Sequence, residues 1–316
     1  MISSQQRSLR VSALLLVLLS CVASGPTVRS DERDSHALSQ RLASLAAGFD
    51  GQLGLSVVHV ETGRTDAIRA KELLPLYSVF KLPLAIVTLQ HIEQGKLRLD
   101  QRVSVAPQDV SPGIQANTER WRRAPMELTV QRLLELSMVE SDNTSSDKLL
   151  GLAGGPLALT ARVRALGFAN IRIAASTKQM MKDRQHPNRG SAEDLSRLLA
   201  QLQLGRLLAP AQLALLEEWM RSSQVGARRL RAALPPGVIV MDKTGTGMNG
   251  SATNDVGIVT LPGGRGHLAI AVLLSDSKWP QAEQEKLIAD VGRAAFEAHS
   301  GEPTPPHALT PRAERR

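Results

Sequence analysis

Three places in the sequence set a serine three residues before a lysine: Ser78/Lys81, Ser145/Lys148 and Ser275/Lys278. A serine hydroxyl is a weak nucleophile until a base removes its proton. One helical turn brings residues i and i+3 onto the same face. A lysine held there in a partly desolvated, electropositive site has a lowered pKa and can act as that base. Context separates the three pairs. Ser78 stands where an extended segment, 73–77, turns into a helix, so its backbone N–H lies at a helix N-terminus, where a developing oxyanion is favoured. Lys81 is followed by LPLAIVTL, the most continuous apolar run beyond the first 25 residues, which predicts a central helix. The other two pairs lie in ordinary polar stretches. Taken alone, Ser78 and Lys81 also fit an N-cap serine beside a solvated lysine.

Two further clusters have the same double character. Ser141-Asp142-Asn143 interrupts a helical pattern and is composed of turn and cap formers. Lys243-Thr244-Gly245 ends a predicted strand and fits an exposed entry to a glycine-rich turn. Their order and placement carry more than either cluster does. SxxK, SDN and KTG follow one another on a helix start, an inter-helix turn and a strand end. This combination resembles the motif set of class A β-lactamases and penicillin-binding proteins. The resemblance extends to Tyr77-Ser78-Val79-Phe80-Lys81, to Thr144 and the helix after it, and to Asp242 through Gly247. It also takes in the segment 226–235 with Arg229, and Asn254-Asp255, so that it covers most of residues 38–299.

The resemblance implies a role for each matching position. Ser78 would be the acylated nucleophile and Lys81 its base or proton shuttle, and Ser141 would pass a proton to the leaving nitrogen. Asn143 would hold the amide side chain of the substrate. Lys243 and Thr244, with Gly245 and Arg229, would bind its carboxylate, while the N–H groups of Ser78 and Thr246 would form an oxyanion hole. Clustered cations and hydroxyls suit a carboxylated amide. The implied protein is a serine β-lactamase-like hydrolase acting on a β-lactam or peptidoglycan-like small molecule, with no metal and no cofactor. One departure stands out. The family's Glu-x-x-Leu-Asn loop, whose Glu activates the deacylating water, has no counterpart in Ile173–Gly190, which contains no Glu. Asp183 and His186 are the only candidate bases in that stretch. Slow deacylation is therefore expected. A D-Ala-D-Ala peptidase or esterase, or a penicillin-binding pseudoenzyme or sensor, remains open on the same scaffold.

The elements that must position these residues can be read from periodicity. A polar segment, 26–35, precedes a helix at 36–48. Leu53 to Val60 alternates as a strand, and Glu61-Thr62-Gly63 turns it into a hairpin. A helix is predicted from Val79 to Gln94, closed by Gly95. The middle of the chain, 100–220, reads as mostly helical, with Thr129 and Ser191 as caps and Pro210 opening a helix. Residues 169–190 lack a period and read as a long functional loop. Three strand-like runs follow, at Val238–Met241, Asp255–Leu261 and His267–Leu274, and then an amphipathic helix at 281–299. Short connections require antiparallel pairing, so the fold expected is α+β: an antiparallel sheet built from both chain ends, flanked by helices, with an inserted all-helical domain. The expected catalytic domain is 36–299, made of an α/β part (36–75 and 222–299) and a helical part (76–221), before a disordered tail at 300–316.

Composition narrows the rest. The chain has 316 residues, 42% hydrophobic, so it can fill a core. With 4 Phe, 3 Trp and 1 Tyr it offers no aromatic platform for single-stranded nucleic acid. Its net charge of +8 is spread without a nucleic-acid reading module. The seven histidines show no metal spacing. Gly245-x-Gly247-x-x-Gly250 has strands on both sides, so the dinucleotide reading fails. Residues 1–25 read as an export signal, with Arg7 and Arg10 before a short apolar stretch that is too short to span a bilayer. Leu18-Leu19-Ser20-Cys21 resembles a lipoprotein box, and cleavage near 23–25 is the rival. Either way a periplasmic or secreted monomer is expected, touching the membrane only through a lipid on Cys21, the sole cysteine.

Overall fold

Alternating apolar residues build a sheet that is covered on both faces. The computed structural model describes residues 27–113, 119–183 and 187–301; the expected export signal with Cys21, His186 and the expected tail beyond residue 301 lie outside them. In β1 (Gln52–His59), Leu53, Leu55 and Val57 join one core cluster while Val58 joins the other. β10 (His267–Ser275) divides in the same way. Leu268, Ile270, Val272 and Leu274 face one side, and the smaller Ala269 and Ala271 face the other with Leu273. With β2 (Thr65–Ile68), β8 (Val240–Thr246) and β9 (Ala252–Thr260) these strands form an antiparallel sheet in the order β2-β1-β10-β9-β8. The two chain ends therefore meet in one sheet, and the fold is α+β.

Two terminal helices cover the large-residue face: α1 (Thr27–Ala47), through Leu38, Leu42 and Ala46, and α9 (Gln281–Ser300), through Ile288, Val291 and Ala295. α1 begins at Thr27, nine residues before the expected start, because the polar run 27–35 contains no Gly or Pro to stop it. The small-residue face admits α7 (Ala192–Gln203) close to the sheet. Ser196 Oγ donates to Ser56 Oγ at 2.8 Å, and the Ala192 methyl packs over Gly54.

The helical block between the chain ends surrounds α2 (Lys81–Glu93), whose residues 81–90 are all buried, as an apolar-all-round helix must be. Around it lie α3 (Val130–Val139), capped by Thr129, α4 (Asn143–Leu152), capped by Asp142, α5 (Gly155–Ala165) and α8 (Pro210–Arg221). Two stretches differ from expectation. The block includes a hairpin, β4 (Arg102–Val105) with β5 (Met126–Thr129), so it is not purely helical. Residues 169–190 are also not one open loop. They contain β6 (Ile171–Arg172), α6 (Thr177–Asp183) and β7 (Arg189–Gly190), and β7 pairs with β3 (Leu74–Pro75) immediately before Ser78. Two-residue strands are too short to show a period. Ile86, fully buried in α2, tests how much the block depends on this helix: Ile86→Ala should cost about 2–5 kcal/mol, read as a lower urea midpoint at unchanged m-value.

Candidate active site

Ser78 lies in a 3₁₀ turn, Tyr77–Phe80, and Lys81 follows as the first residue of α2, its N–H donating to Ser78 O. In a 3₁₀ turn residues three apart lie on one face, so Ser78 and Lys81 leave the turn on the same side. Ser78 makes no cap bond, and Lys81 is 0% exposed; the capping-serine reading fails on both counts. Tyr77 enters the turn at φ 46°, a left-handed conformation rare for a side chain of its size. Three contacts hold it there: Leu76 N donates to Asn188 O at 3.0 Å, Asn254 Nδ2 donates to Pro75 O at 2.8 Å, and the Tyr77 hydroxyl bonds Ser251 Oγ at 3.1 Å.

The SDN corner meets this turn from the helical block. Ser141 also has a positive φ, 56°, which turns both its carbonyl and its hydroxyl toward lysines. Lys81 Nζ donates to Ser141 O at 2.7 Å, to Asn143 Oδ1 at 2.7 Å and to Ser141 Oγ at 3.4 Å. The strain is held by Asp142, whose carboxylate accepts from Ser145 N at 2.6 Å and from Trp121 Nε1 at 3.0 Å. Asn143 Nδ2 donates to Pro112 O, which fixes the amide.

The KTG strand closes the site from the sheet. β8 does not stop at Lys243. It runs through Thr246, and Lys243 and Thr244 are buried, so the expected exposed strand end is corrected. Lys243 Nζ donates to Ser141 Oγ at 3.0 Å, on the same hydroxyl that Lys81 approaches. Gly245 is required by contact, since a Cβ there would lie 2.5 Å from Leu76 O and 3.3 Å from Ser78 N. Arg229 is set back from the cavity. It is 3% exposed, and its guanidinium donates to Asn254 O at 2.8 Å, Gly245 O at 3.2 Å and Thr246 Oγ1 at 2.6 Å, with Glu285 at 3.4 Å behind it.

Burial sets the electrostatics. Desolvation lowers Lys81 to about 8 against the opposing pull of Asp142 and Asp147. Desolvation, reinforced by the charge on Lys81, lowers Lys243 to about 7 despite Asp242 and Asp255. Beneath them burial raises Asp242, which is paired with Arg231, and burial beside Asp242 raises Asp255 well above the usual carboxylate range.

Ser78 opens onto a cleft of about 380 Å³ walled by Ser141, Asn143, Thr244, Thr246, Pro112 and Met248. It also opens onto a smaller recess of about 80 Å³ walled by Phe80, Thr177, Met180, Met181 and Met248. Five of the nine expected site residues (Ser78, Ser141, Asn143, Thr244 and Thr246) line these spaces, Lys81 and Lys243 reach Ser141 from the buried side, Gly245 lies against the Ser78 turn, and Arg229 stands behind. Neither wall contains a carboxylate or a histidine among the described residues. Asp183 is exposed at the end of α6 and His186 lies outside the described residues. Sequence reasoning missed Thr177, the three methionines and Asn188. The Asn188 Oδ1 accepts from Ala174 N and Ala175 N at 2.7 and 3.0 Å, stitching the 173–190 segment to the Ser78 turn. No group of three or more His, Cys, Asp or Glu among the described residues could hold a metal ion.

A serine one turn before a buried lysine, with a second buried lysine across the Ser141 hydroxyl, is an arrangement able to serve a serine hydrolase. The family model of the β-lactamase enzyme family matches residues 37–299. The extended-spectrum β-lactamase PER-1 of Pseudomonas aeruginosa is 33% identical over 270 residues, covering 83% of this chain and 87% of that protein. The β-lactamase of Streptomyces albus G is 33% identical over 272 residues, covering 82% and 83%. Among solved structures, an ancestral class A β-lactamase aligns with TM-score 0.76 at 34% identity, over 83% of this chain and 99% of that one. A β-lactamase from Chitinophaga pinensis aligns with TM-score 0.78 at 32% identity, over 83% and 98%. The chain belongs to the β-lactamase enzyme family, as a serine hydrolase of the class A type.

The buried lysines give a stability prediction. Lys243 titrates at about 7 in the fold and at about 10.4 when unfolded. The unfolded chain therefore binds more protons above pH 7, and this group's penalty is full below pH 7 and fades toward pH 10. Lys243→Met should raise the melting temperature at pH 6, with a smaller gain at pH 9. Calorimetry at the two pH values decides it, and a lower melting temperature at pH 6 counts against the assignment.

Proposed function

We propose that the protein opens β-lactam rings through an acyl-Ser78 intermediate. The observation that carries this reading is Ser141 Oγ, which bridges Lys81 and Lys243 beside Ser78 at one cavity. The free base of Lys81 takes the Ser78 proton while Ser78 Oγ attacks the lactam carbonyl carbon. The oxyanion is met by the N–H groups of Ser78 and Thr246. When the C–N bond breaks, Ser141 gives its proton to the departing nitrogen and is reprotonated from a lysine. Thr244 and the Lys243 ammonium bind the substrate carboxylate in the cleft, with Gly245 letting the strand approach and Arg229 holding Thr246. Asn143 meets the amide side chain. A carboxylate arriving beside Lys243 favours its charged form, and so leaves Lys81 as the free base. Residues 1–25, which read as an export signal, support an activity outside the cytoplasm. The wall without a carboxylate or histidine favours slow release of the acyl group, and at its limit a penicillin-binding protein that stays acylated.

Mixing the purified protein with a chromogenic cephalosporin, while following turnover and protein mass together, tests this reading. Turnover and adduct should both vanish in Ser78→Ala. A stoichiometric adduct without turnover would support the long-lived acyl form, and no adduct at all would end the nucleophile assignment. The pH profile is a separate check. The productive form carries one proton on the lysine pair, which titrates at about 7 and about 8, so the acylation rate should be bell-shaped with its maximum between. A rate that climbs steadily past pH 9 would contradict it.

A further inference from the structure

We propose that the Thr177 hydroxyl positions the water that hydrolyses the acyl-Ser78 ester. This rests on Ser78 being acylated as set out above. Thr177 is 7% exposed, and its Oγ1 is buried with no hydrogen-bond partner among the described residues. It shares the wall of the small recess with Ser78 and Asn143. A buried hydroxyl left unpaired costs free energy, so such groups are commonly satisfied by an ordered water. The rest of that wall is largely apolar, with Phe80, Met180 and Met181, which leaves few places where a water can find partners. A water needs two to four polar neighbours, and this wall offers Thr177 Oγ1, Ser78 and the Asn143 N–H that is not given to Pro112 O. The threonine is held firmly. Its N–H donates to Asp147 Oδ1 at 2.7 Å, the Lys178 N–H donates to Asp147 Oδ2 at 2.8 Å, and Ser111 Oγ donates to the same Oδ2 at 2.7 Å.

The step balances without a carboxylate. The water oxygen adds to the ester carbonyl carbon, and one of its protons passes to the free amine of Lys81. The tetrahedral intermediate collapses, the bond from carbon to Ser78 Oγ breaks, and Lys81 returns the proton to Ser78 Oγ. The groups facing Lys81 are Asp142, Asp147 and Lys243.

Rapid mixing with benzylpenicillin, quenched for mass spectrometry, separates formation of the adduct from its loss. Thr177→Val keeps the shape and removes the hydroxyl. Its adduct should form within twofold of the parent rate and be released at least tenfold more slowly. Thr177→Ser should release within threefold of the parent, which distinguishes a hydroxyl role from packing. Release from Thr177→Val at the parent rate, or equal losses in both steps, would overturn the proposal while leaving acyl-Ser78 intact. A parent protein that never forms the adduct would sink both readings.

Discussion

Two ammonium groups converge on one hydroxyl inside this protein, and the rest of the site is organised around tolerating that. Lys81 and Lys243 approach Ser141 Oγ at 3.4 and 3.0 Å, and both are 0% exposed. Placing two like charges together out of water is unfavourable twice over, through lost hydration and through repulsion. The fold offsets part of this with acceptors and acids. Ser141 O and Asn143 Oδ1 accept from Lys81, Asp142 and Asp147 lie behind it, and Asp242 and Asp255 lie behind Lys243. What remains unfavourable appears as lowered basicity in both lysines. A base that is poised near neutral pH is thus a direct consequence of burial.

That arrangement needs a stiff frame, because lysines are long and a small drift would let water in. The stiffness comes from three chain segments of different origin locked by backbone contacts. Asn254, on β9, donates to Pro75 O and Leu76 O and accepts from Leu274 N, tying the Ser78 turn to the sheet. Gly245 lets β8 come within contact of the same turn. Tyr77 and Ser141 both sit at positive φ, and non-glycine residues stay there only where the surroundings over-determine them. Arg229 belongs to this frame. Buried, it braces Gly245 and Thr246 from behind while its charge is met by Glu285.

Much of this was legible in the sequence, and the reason lies in particular residues. Ser78, Lys81, Ser141, Asn143, Lys243 and Thr244 carry chemistry in their own side chains and sit at element boundaries that periodicity marks. The sheet from both chain ends followed from alternation in Leu53–Val60 and His267–Leu274. What periodicity missed has a common cause. β3, β6 and β7 are two residues each, so the segment that carries Thr177, Met180 and Met181 showed no pattern. β9 begins at Ala252, before its apolar run, because the ladder continues there, with Ala252 to Asn254 opposite Ser275 to Leu273. Burial of Lys243 and Arg229 depends on what packs over them, which no local pattern encodes.

The 173–190 segment shows how a site can keep its architecture while its chemistry changes. Asp147, on α4, is a carboxylate beside the recess, yet its oxygens are taken by Thr177 N, Lys178 N and Ser111 Oγ. It fixes the backbone there, and it does not line the recess itself. The side chain that this backbone presents at the recess is a hydroxyl, which can orient a water but cannot hold its proton. In the proposed release step that proton goes to Lys81, which would then serve both halves of the reaction. Using one amine twice would link the two steps: whatever charges Lys81 would slow release as well as attack. In a site with an independent carboxylate the two steps can respond separately to the substrate; on the proposed route both would follow the proton held between Lys81 and Lys243.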